Sequence, residues 1–422
     1  MNILKRNVFC GNAAKLVGVC AAVKKRRFKK RYIILAAVLL LLVFTAFFPS
    51  IVVSAEGTDR QEELNQNIEQ ILGGLDLSGL QQYLDENSDS YLFNFGDNAK
   101  QIITYLISGN AGTDYGSYIN EILSVFFSDV ISLLPAFAEV VAIALLCAVF
   151  SCAEGNILGK STSRVVKLAC YSLIVVIISS ALAGVAEECI SCVAALQKQM
   201  EIITPILVTL TVLTGGTGSA AIYQPSAVFL SGGAVQMVSG FVFPAAIAAA
   251  VLGFMSKINP QISFSGMAAL LKSLIKWVLG ITATVFSVFL TVQSSATSLF
   301  DGVLFKATKY IIGNSVPIVG GFLSGGFDLL TAAGLLVKNS VGLCGLIMLI
   351  LQVASPLILL IAFSLLLKVA GAVVQAAGEN DMYSLFSDLS SDVGCFTAGL
   401  LTVTFMYWLI IMLIINSANS FI

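Results

Sequence analysis

The side chains that could do chemistry are few, because the 422-residue chain contains no histidine. Histidine is the usual general base near neutral pH and the commonest metal ligand. Serine–histidine hydrolysis, histidine–zinc sites and histidine-ligated haem are therefore excluded. Cys189 and Cys192 form one Cys-x-x-Cys motif, which is typical of a redox pair, half of a metal site, or two thiols on one helix face. Without a second pair we predict no metal and no cofactor.

A glycine–lysine segment at residues 155–161 has the composition of a phosphate-binding loop. A P-loop needs four residues between its glycines and a preceding strand. Only three residues separate Gly155 from Gly159, and no strand pattern precedes them. We interpret the segment as a basic connector and predict that the protein is not an enzyme.

Three ionisable residues lie within or beside apolar runs, where charge is costly and indicates function or assembly. They are Glu139, Asp328 and Lys368. For Glu139 two interpretations stay open: a conduit or proton-carrying residue, or a residue that pairs with a neighbouring helix.

The elements that hold these residues must be membrane helices. Apolar residues make up 57% of the chain, charged residues 11%, and the mean hydropathy is +0.93. We predict an all-α, polytopic helical membrane protein, with about seven crossings in residues 131–422. The run at residues 341–374 is one long span kinked at Pro356 or two short spans. The clearest spans are 131–152, 168–186, 274–293 and 393–415.

Residues 1–55 are an export segment, since a basic run at 24–31 precedes an apolar run at 32–48 and a small-residue site ending at Ala55. This pattern is typical of a cleaved signal peptide, and an uncleaved anchor is the alternative. Both interpretations place the following residues outside the cytoplasm. The position of the basic run favours membrane orientation over nucleic-acid binding.

Residues 56–130 are acidic, and their periodicity predicts a small helical extracytoplasmic domain. Its apolar stripes exceed what so small a domain can bury alone. We therefore expect Leu80, Tyr83 and Leu84 to dock a partner.

Two apolar segments, near residues 202–225 and 314–334, are interrupted by glycine and proline. Irregular backbone at membrane depth needs protein or water around it, and paired interruptions are typical of transporter repeats. We predict broken helices that line a shared cavity, and ordinary glycine-mediated helix packing is the alternative. The residues concerned are Pro205, Gly215, Gly216, Gly218, Pro317, Gly320, Gly321, Gly325, Gly326 and Asp328.

The charges of the connectors predict the topology. Residues 160–167 and 257–276 are basic and are expected inside the cell. Residues 87–114, 187–201 and 379–392 are acidic and are expected outside, with the C-terminus inside.

An ordered set of short motifs resembles the stage III sporulation protein AE family. It runs from Leu75–Leu80 through Thr204-Pro205, Gly215-Gly216, Tyr223-Gln224-Pro225 and Asp301-Gly302 to residues 316–320. The resemblance implies a multi-pass protein of the mother-cell membrane, within the channel between mother cell and forespore. It implies partners that include a cytoplasmic ATPase, ring-forming membrane subunits and a forespore protein, and it supplies no catalytic residues.

The leading hypothesis is therefore a permease-like channel subunit that forespore development requires. The alternative is an independent ion-coupled secondary transporter that uses Glu139 and the interrupted segments.

Overall fold

The computed structural model describes residues 58–86, 98–108, 115–152, 160–258, 264–315 and 320–417. These residues are almost entirely helical, and none of them forms a strand, which confirms the all-α prediction. The chain from Glu62 onward forms one compact unit, to which the following description applies. The predicted signal segment and Pro317 lie outside the described residues.

Three short helices come first: α1 (Thr58–Gly74), α2 (Ser78–Glu86) and α3 (Ala99–Ile107). Asp76 stabilises the start of α2, because the amide and the hydroxyl of Ser78 donate to its Oδ1 at 3.1 and 2.5 Å. These hydrogen bonds lower the pKa of Asp76. Gln81 joins α2 to α3 by accepting from the amide of Ala99 at 2.7 Å.

The remaining chain forms long helices. They are α4 (Tyr115–Cys152), α5 (Lys160–Leu213), α6 (Thr217–Phe229), α7 (Phe243–Ile258), α8 (Ser265–Ser315), α9 (Gly320–Ala376) and α10 (Asn380–Asn416). Within the described ranges, six stretches are long and apolar enough to cross a membrane. At 1.5 Å per residue, α5 and α9 are each about 80 to 85 Å long, more than twice the roughly 30 Å of a bilayer core.

Helix α5 runs without a break through residues 187–201, which the charge pattern had predicted to be an outer connector. The charged side chains Glu187, Glu188 and Glu201 are exposed, while apolar side chains at helical spacing are buried. A segment with one apolar face and no helix breaker stays helical whatever its mean polarity. The buried stripe is Cys189, Cys192, Val193, Leu196, Met200 and Ile203.

Helices α6 and α7 are joined by two π-helical turns, Leu230–Ala234 and Val238–Val242, on either side of Val235–Met237. Each π turn contains a Ser-Gly pair, and glycine tolerates the wider turn. Residues 217–258 therefore form one continuous helical stretch with two π turns. No sequence pattern predicted the π turns.

Helices α5 and α9 pack antiparallel. Along α5 and α9, Cys192 lies opposite Gln352, Gln199 opposite Gly345, and Thr214 opposite Gly334. Helix α8 runs against the α6–α7 stretch, with Phe289 beside Phe229. The bundle thus has two ends, which we call the Lys167 end and the Gly215 end after the residues located there.

The exposed apolar side chains of α9 concentrate on the half of that helix near the Lys167 end. On α9, Ile361, Leu365, Val369 and Val373 are exposed, whereas no large apolar side chain between Thr331 and Leu360 is. Apolar side chains that face outward together mark contact with lipid. This half of α9 therefore faces lipid, while α9 nearer the Gly215 end is enclosed by protein.

Candidate functional site at the glycine turn and the α5–α9–α10 junction

The turn between α5 and α6 is a tight glycine cap. The amide of Gly216 donates to the carbonyl of Thr211 at 2.8 Å, and that of Gly215 to Val212 at 3.0 Å. This pair of bonds is a Schellman motif, which places the residue after the cap in the left-handed region. Gly215 has φ +87° there. Gly216 precedes the first residue of α6, and Gly218 lies in its first turn.

The glycine turn packs directly on α9. A Cβ added at Gly334 would lie 2.9 Å from Cγ2 of Thr214, so the helices meet with almost no space between them. Thr214 is buried, and its hydroxyl donates to the carbonyls of Leu210 and Thr211. Glycine here allows a close backbone approach.

The second glycine segment differs from the prediction. Gly320, Gly321, Gly325 and Gly326 all lie within the first two turns of α9, so the backbone is helical there. A Cβ added at Gly326 would meet no atom within 4 Å, and Gly334 makes the contact with the glycine turn instead. Glycine lowers helix propensity by only about 1 kcal/mol, which tertiary packing of a long apolar helix overrides. Asp328 is half-buried on the next turn.

Pro205 does not break α5 either. It lies on an exposed face, and the helix continues to Leu213. Proline removes the donor for the carbonyl four residues earlier, here that of Glu201. The hydroxyl of Thr209 donates to the carbonyl of Pro205 at 2.9 Å.

Helix α2 covers the junction of α5 and α9. Leu80, Tyr83 and Leu84, which we expected to dock a partner, are buried among the chain's own helices. The hydroxyl of Tyr83 donates to Oε1 of Gln352 at 3.4 Å, and Lys198 forms a salt bridge with Glu86. Burial raises the pKa of Tyr83 to about 12, so the phenol stays a donor. The apolar stripe that suggested a partner is therefore covered within the chain.

A buried polar seam lies beneath α2. The thiol of Cys192 donates to the carbonyl of Gln352 at 3.4 Å, and the amide of Gln199 to the carbonyl of Gly345 at 2.9 Å. Both thiols of the Cys-x-x-Cys motif are free and buried. No group of metal-ligating side chains occurs in the part of the chain that the structure describes.

Glycines of α9 allow α10 and α5 to approach. A Cβ added at Gly342 would clash with Cγ1 of Ile415, and one at Gly345 would lie 3.1 Å from Cδ1 of Ile203. Lys338 is fully buried one turn before Gly342, and its Nζ donates to the carbonyl of Ser417. These contacts hold the last turn of α10 against α9.

Two ion pairs lie at the Lys167 end. Nζ of Lys167 is 3.5 Å from Oε1 of Glu379, and Nζ of Lys272 is 2.9 Å from Oδ1 of Asp392. The charge pattern had placed residues 160–167 and 257–276 on the opposite side of the membrane from residues 379–392. That prediction is wrong, because direct ion pairs join these segments. The acidic residues neutralise the basic ones and so do not mark a different side.

Glu139 lies at the middle of the candidate span Val130–Phe150 and is exposed on the outer face of α4. The opposite face packs inward, where Phe137 contacts Phe363 with ring centroids 5.3 Å apart. An acidic or basic side chain at the centre of a membrane helix costs about 2.5 to 3.5 kcal/mol. Because its side chain is exposed, Glu139 faces the surroundings of the bundle and not its interior. Lys368 is also exposed, and its Nζ donates to the hydroxyl of Ser364 at 3.3 Å.

The sequence model of the stage III sporulation protein AE family matches residues 98–418. The chain belongs to this family. It is also 22% identical to stage III sporulation protein AE of Bacillus subtilis (strain 168) over 367 residues, which cover 87% of the chain and 92% of that protein. No solved structure matches the chain.

The family match confirms the resemblance that the short motifs indicated, and it shows that the chain is a sporulation protein. It includes α3 to α10 and therefore every helix contact of the glycine turn, the polar seam and the ion pairs. Together with the six long apolar helices, it identifies a multi-pass membrane protein.

Several of the contacts described above were not predicted from the sequence. Lys338 could have been recognised as a candidate for a buried contact, since it is a cation within a long apolar run. The pairing of Lys272 with Asp392 gave no local signal, because 120 residues separate the partners and only the packing of α8 on α10 joins them.

Proposed function

We propose that this protein is a non-enzymatic, permease-like membrane subunit of a sporulation channel complex between mother cell and forespore. The observation that carries the proposal is the family match over residues 98–418. The length of α5 and α9 supports it, because helices of about 80 Å extend well beyond one bilayer. Such helices suit a subunit that joins components on the two sides of a membrane.

We place the Lys167 end in the cytoplasm of the mother cell. Lys167, Lys272 and Lys276 lie near this end, and connectors rich in lysine and arginine stay inside. In this orientation, helices α2 and α3, which pack on α5 and α9 away from the Lys167 end, are extracytoplasmic. Ser417 lies beside Lys338 in the same half, so the end of α10 is outside, unlike our earlier expectation.

The two ends suit different partners. A cytoplasmic ATPase would bind at the Lys167 end, and ring-forming membrane subunits would bind at the Gly215 end. Because α2 buries Leu80, Tyr83 and Leu84 against the bundle, an extracytoplasmic partner would meet its exposed polar face instead. That face carries Gln82, Asp85 and Glu86.

The alternative of an ion-coupled transporter needs an acidic residue beside an interior path. Glu139 was its candidate, and that side chain is exposed on the outside of α4. Reconstitution of the purified protein alone in vesicles separates the two functions: a channel subunit moves no substrate without its partners.

Cysteine labelling in intact sporulating cells tests the proposed orientation. On a cysteine-free background, an impermeant maleimide should label Gln82→Cys and should not label Asn380→Cys until the membrane is permeabilised. Both positions are exposed. Labelling of Asn380→Cys in intact cells would show that the orientation is reversed, and co-purification of a tagged protein from the same cells tests the complex.

A further inference from the structure

The outer face of α4 carries a carboxylate in a largely apolar surface, on which Ser132 is also exposed. Ile131, Leu134, Leu146 and Val149 are exposed along this face, at 60%, 45%, 57% and 65% of their surface. Glu139 is exposed between them, at the middle of the span. Its carboxylate makes no hydrogen bond or ion pair with any residue that the structure describes.

Pro135 adds a second polar group to the same face. Proline has no N–H, so the carbonyl of Ile131 loses the donor that a helix normally supplies. Ile131, Pro135 and Glu139 are spaced by four residues and share one side of the exposed helix. Glu139 follows that carbonyl by two helical turns on the same face, and Cα–Cβ bonds in a helix tilt toward its N-terminus.

While Glu139 is ionised, both polar groups are acceptors only, and lipid tails offer no donor. A second copy of α4 would bring acceptors against acceptors and carboxylate against carboxylate, which repel. A cationic side chain supplies several donors and the opposite charge, so it satisfies both groups at once. The chemistry of the face therefore selects a basic partner.

We propose that the outer face of α4, centred on Pro135 and Glu139, binds a membrane-spanning helix of another protein that carries a lysine or arginine near its midpoint. The inference rests on the proposed assembly with other membrane proteins. It names the surface and the chemistry through which one of them binds.

Site-specific photocrosslinking in sporulating cells tests this contact. A photoreactive amino acid replaces Ala142, which is exposed beside Glu139, and in a matched control it replaces Val288, which is 57% exposed on α8. Position 142 should crosslink one membrane protein that position 288 does not. Mass spectrometry should place the crosslink in a helix with a basic residue at mid-membrane.

Variants of Glu139 test the charge. Glu139→Leu should lower the crosslink yield about tenfold or more, the loss expected for a hydrogen bond to a charged group. Glu139→Lys should abolish the crosslink, and a change of the partner's basic residue to glutamate should restore it. Immunoblotting of membranes confirms that each variant is inserted at the normal level.

The inference would be overturned by a crosslink to a second copy, to residues 32–48 of the same chain or to a helix without a basic residue. A crosslink yield that Glu139→Leu leaves unchanged would also overturn it. Co-purification keeps the two proposals apart. If a tagged protein recovers its complex but α4 crosslinks nothing, only the inference fails, whereas the absence of any complex refutes the proposed function.

Discussion

Lys272 on α8 and Asp392 on α10 form an ion pair that is almost closed to solvent. Nζ lies 2.9 Å from Oδ1, and the side chains are 13% and 1% exposed. Lys272 also donates to the backbone carbonyl of Asp388 at 3.1 Å. Two helices that are far apart in the sequence are thus joined at the Lys167 end by one cation.

Loss of Asp392 should leave this cation unpaired. We expect Asp392→Ala to lower the free energy of unfolding by about 3 kcal/mol, since removal of one partner leaves a buried charge. The free energy of unfolding of the double variant Lys272→Met/Asp392→Leu should lie within about 1 kcal/mol of the wild-type value. Thermal unfolding in nanodiscs measures both, and an Asp392→Ala protein as stable as the wild type would contradict the buried pair.

Gly342 should not accept a side chain. Gly342→Ala places a methyl group against Ile415 at the α9–α10 contact, and overpacking of this kind costs about 1 to 3 kcal/mol. Gly394→Ala is the matched control, because its Cβ would meet no atom within 4 Å and alanine favours a helix by about 1 kcal/mol. The melting temperature should fall for the first variant and rise for the second. Ile415→Ala in the Gly342→Ala background should recover part of the loss.

Gly215 should resist substitution for a different reason. Its φ of +87° lies in the left-handed region, where a side chain costs about 1 to 2 kcal/mol. We expect Gly215→Ala to destabilise the protein by this amount. Gly184→Ala within helix α5, where space is open, should stabilise it. Equal effects of the two changes on unfolding would rule out a strained cap.

Anchoring of α2 should depend on apolar packing more than on the tyrosine hydroxyl. Leu80→Ala should cost about 2 to 5 kcal/mol, the range for a buried leucine. Tyr83→Phe should cost less than about 1 kcal/mol, because its hydrogen bond to Gln352 is long. Limited proteolysis of the N-terminal helices should be faster for Leu80→Ala than for the exposed control Glu63→Ala. Slower cleavage of Leu80→Ala than of Tyr83→Phe would contradict this order.

The attachment of α2 should weaken in acid. Hydrogen bonds from Lys198 and then Gln82 lower the pKa of Glu86 below its ordinary value of 4.5. A carboxylate with a lowered pKa stabilises the folded state fully above that ordinary value, and the contribution disappears as the pH falls through the lowered pKa. Hydrogen exchange of α2, corrected for intrinsic rates, should be slower in the wild type than in Lys198→Met at pH 7. The two should converge in acid, and a difference that persists there would exclude this pair as the cause.

The sequence could predict the helices but not their lengths. Residues 131–152, 168–186, 274–293 and 393–415 all fall inside helices of the structure. Average hydropathy could not show that α5 continues through residues 187–201. An average takes no account of the face on which each charge lies.

The glycine segments show a similar limit. The turn at Gly215 was recognisable because glycine clusters there between two apolar runs. The same composition at Gly320–Gly326 is helical, because the following apolar residues of α9 are enclosed and hold the helix. Which acidic residues neutralise which lysines also depends on packing, so the side of residues 379–392 could not be predicted from their charge.

Unbroken helices of the length of α5 and α9 also have a mechanical consequence. A long helix that packs against an antiparallel neighbour bends little and moves as a unit, although one backbone hydrogen bond is missing in each helix, at Pro205 in α5 and at Pro356 in α9. Lys167 is ion-paired at one end of α5, and Thr214 abuts Gly334 at the other. A force or a rotation applied at the Lys167 end would therefore displace the glycine turn directly, because no flexible loop lies between them in α5.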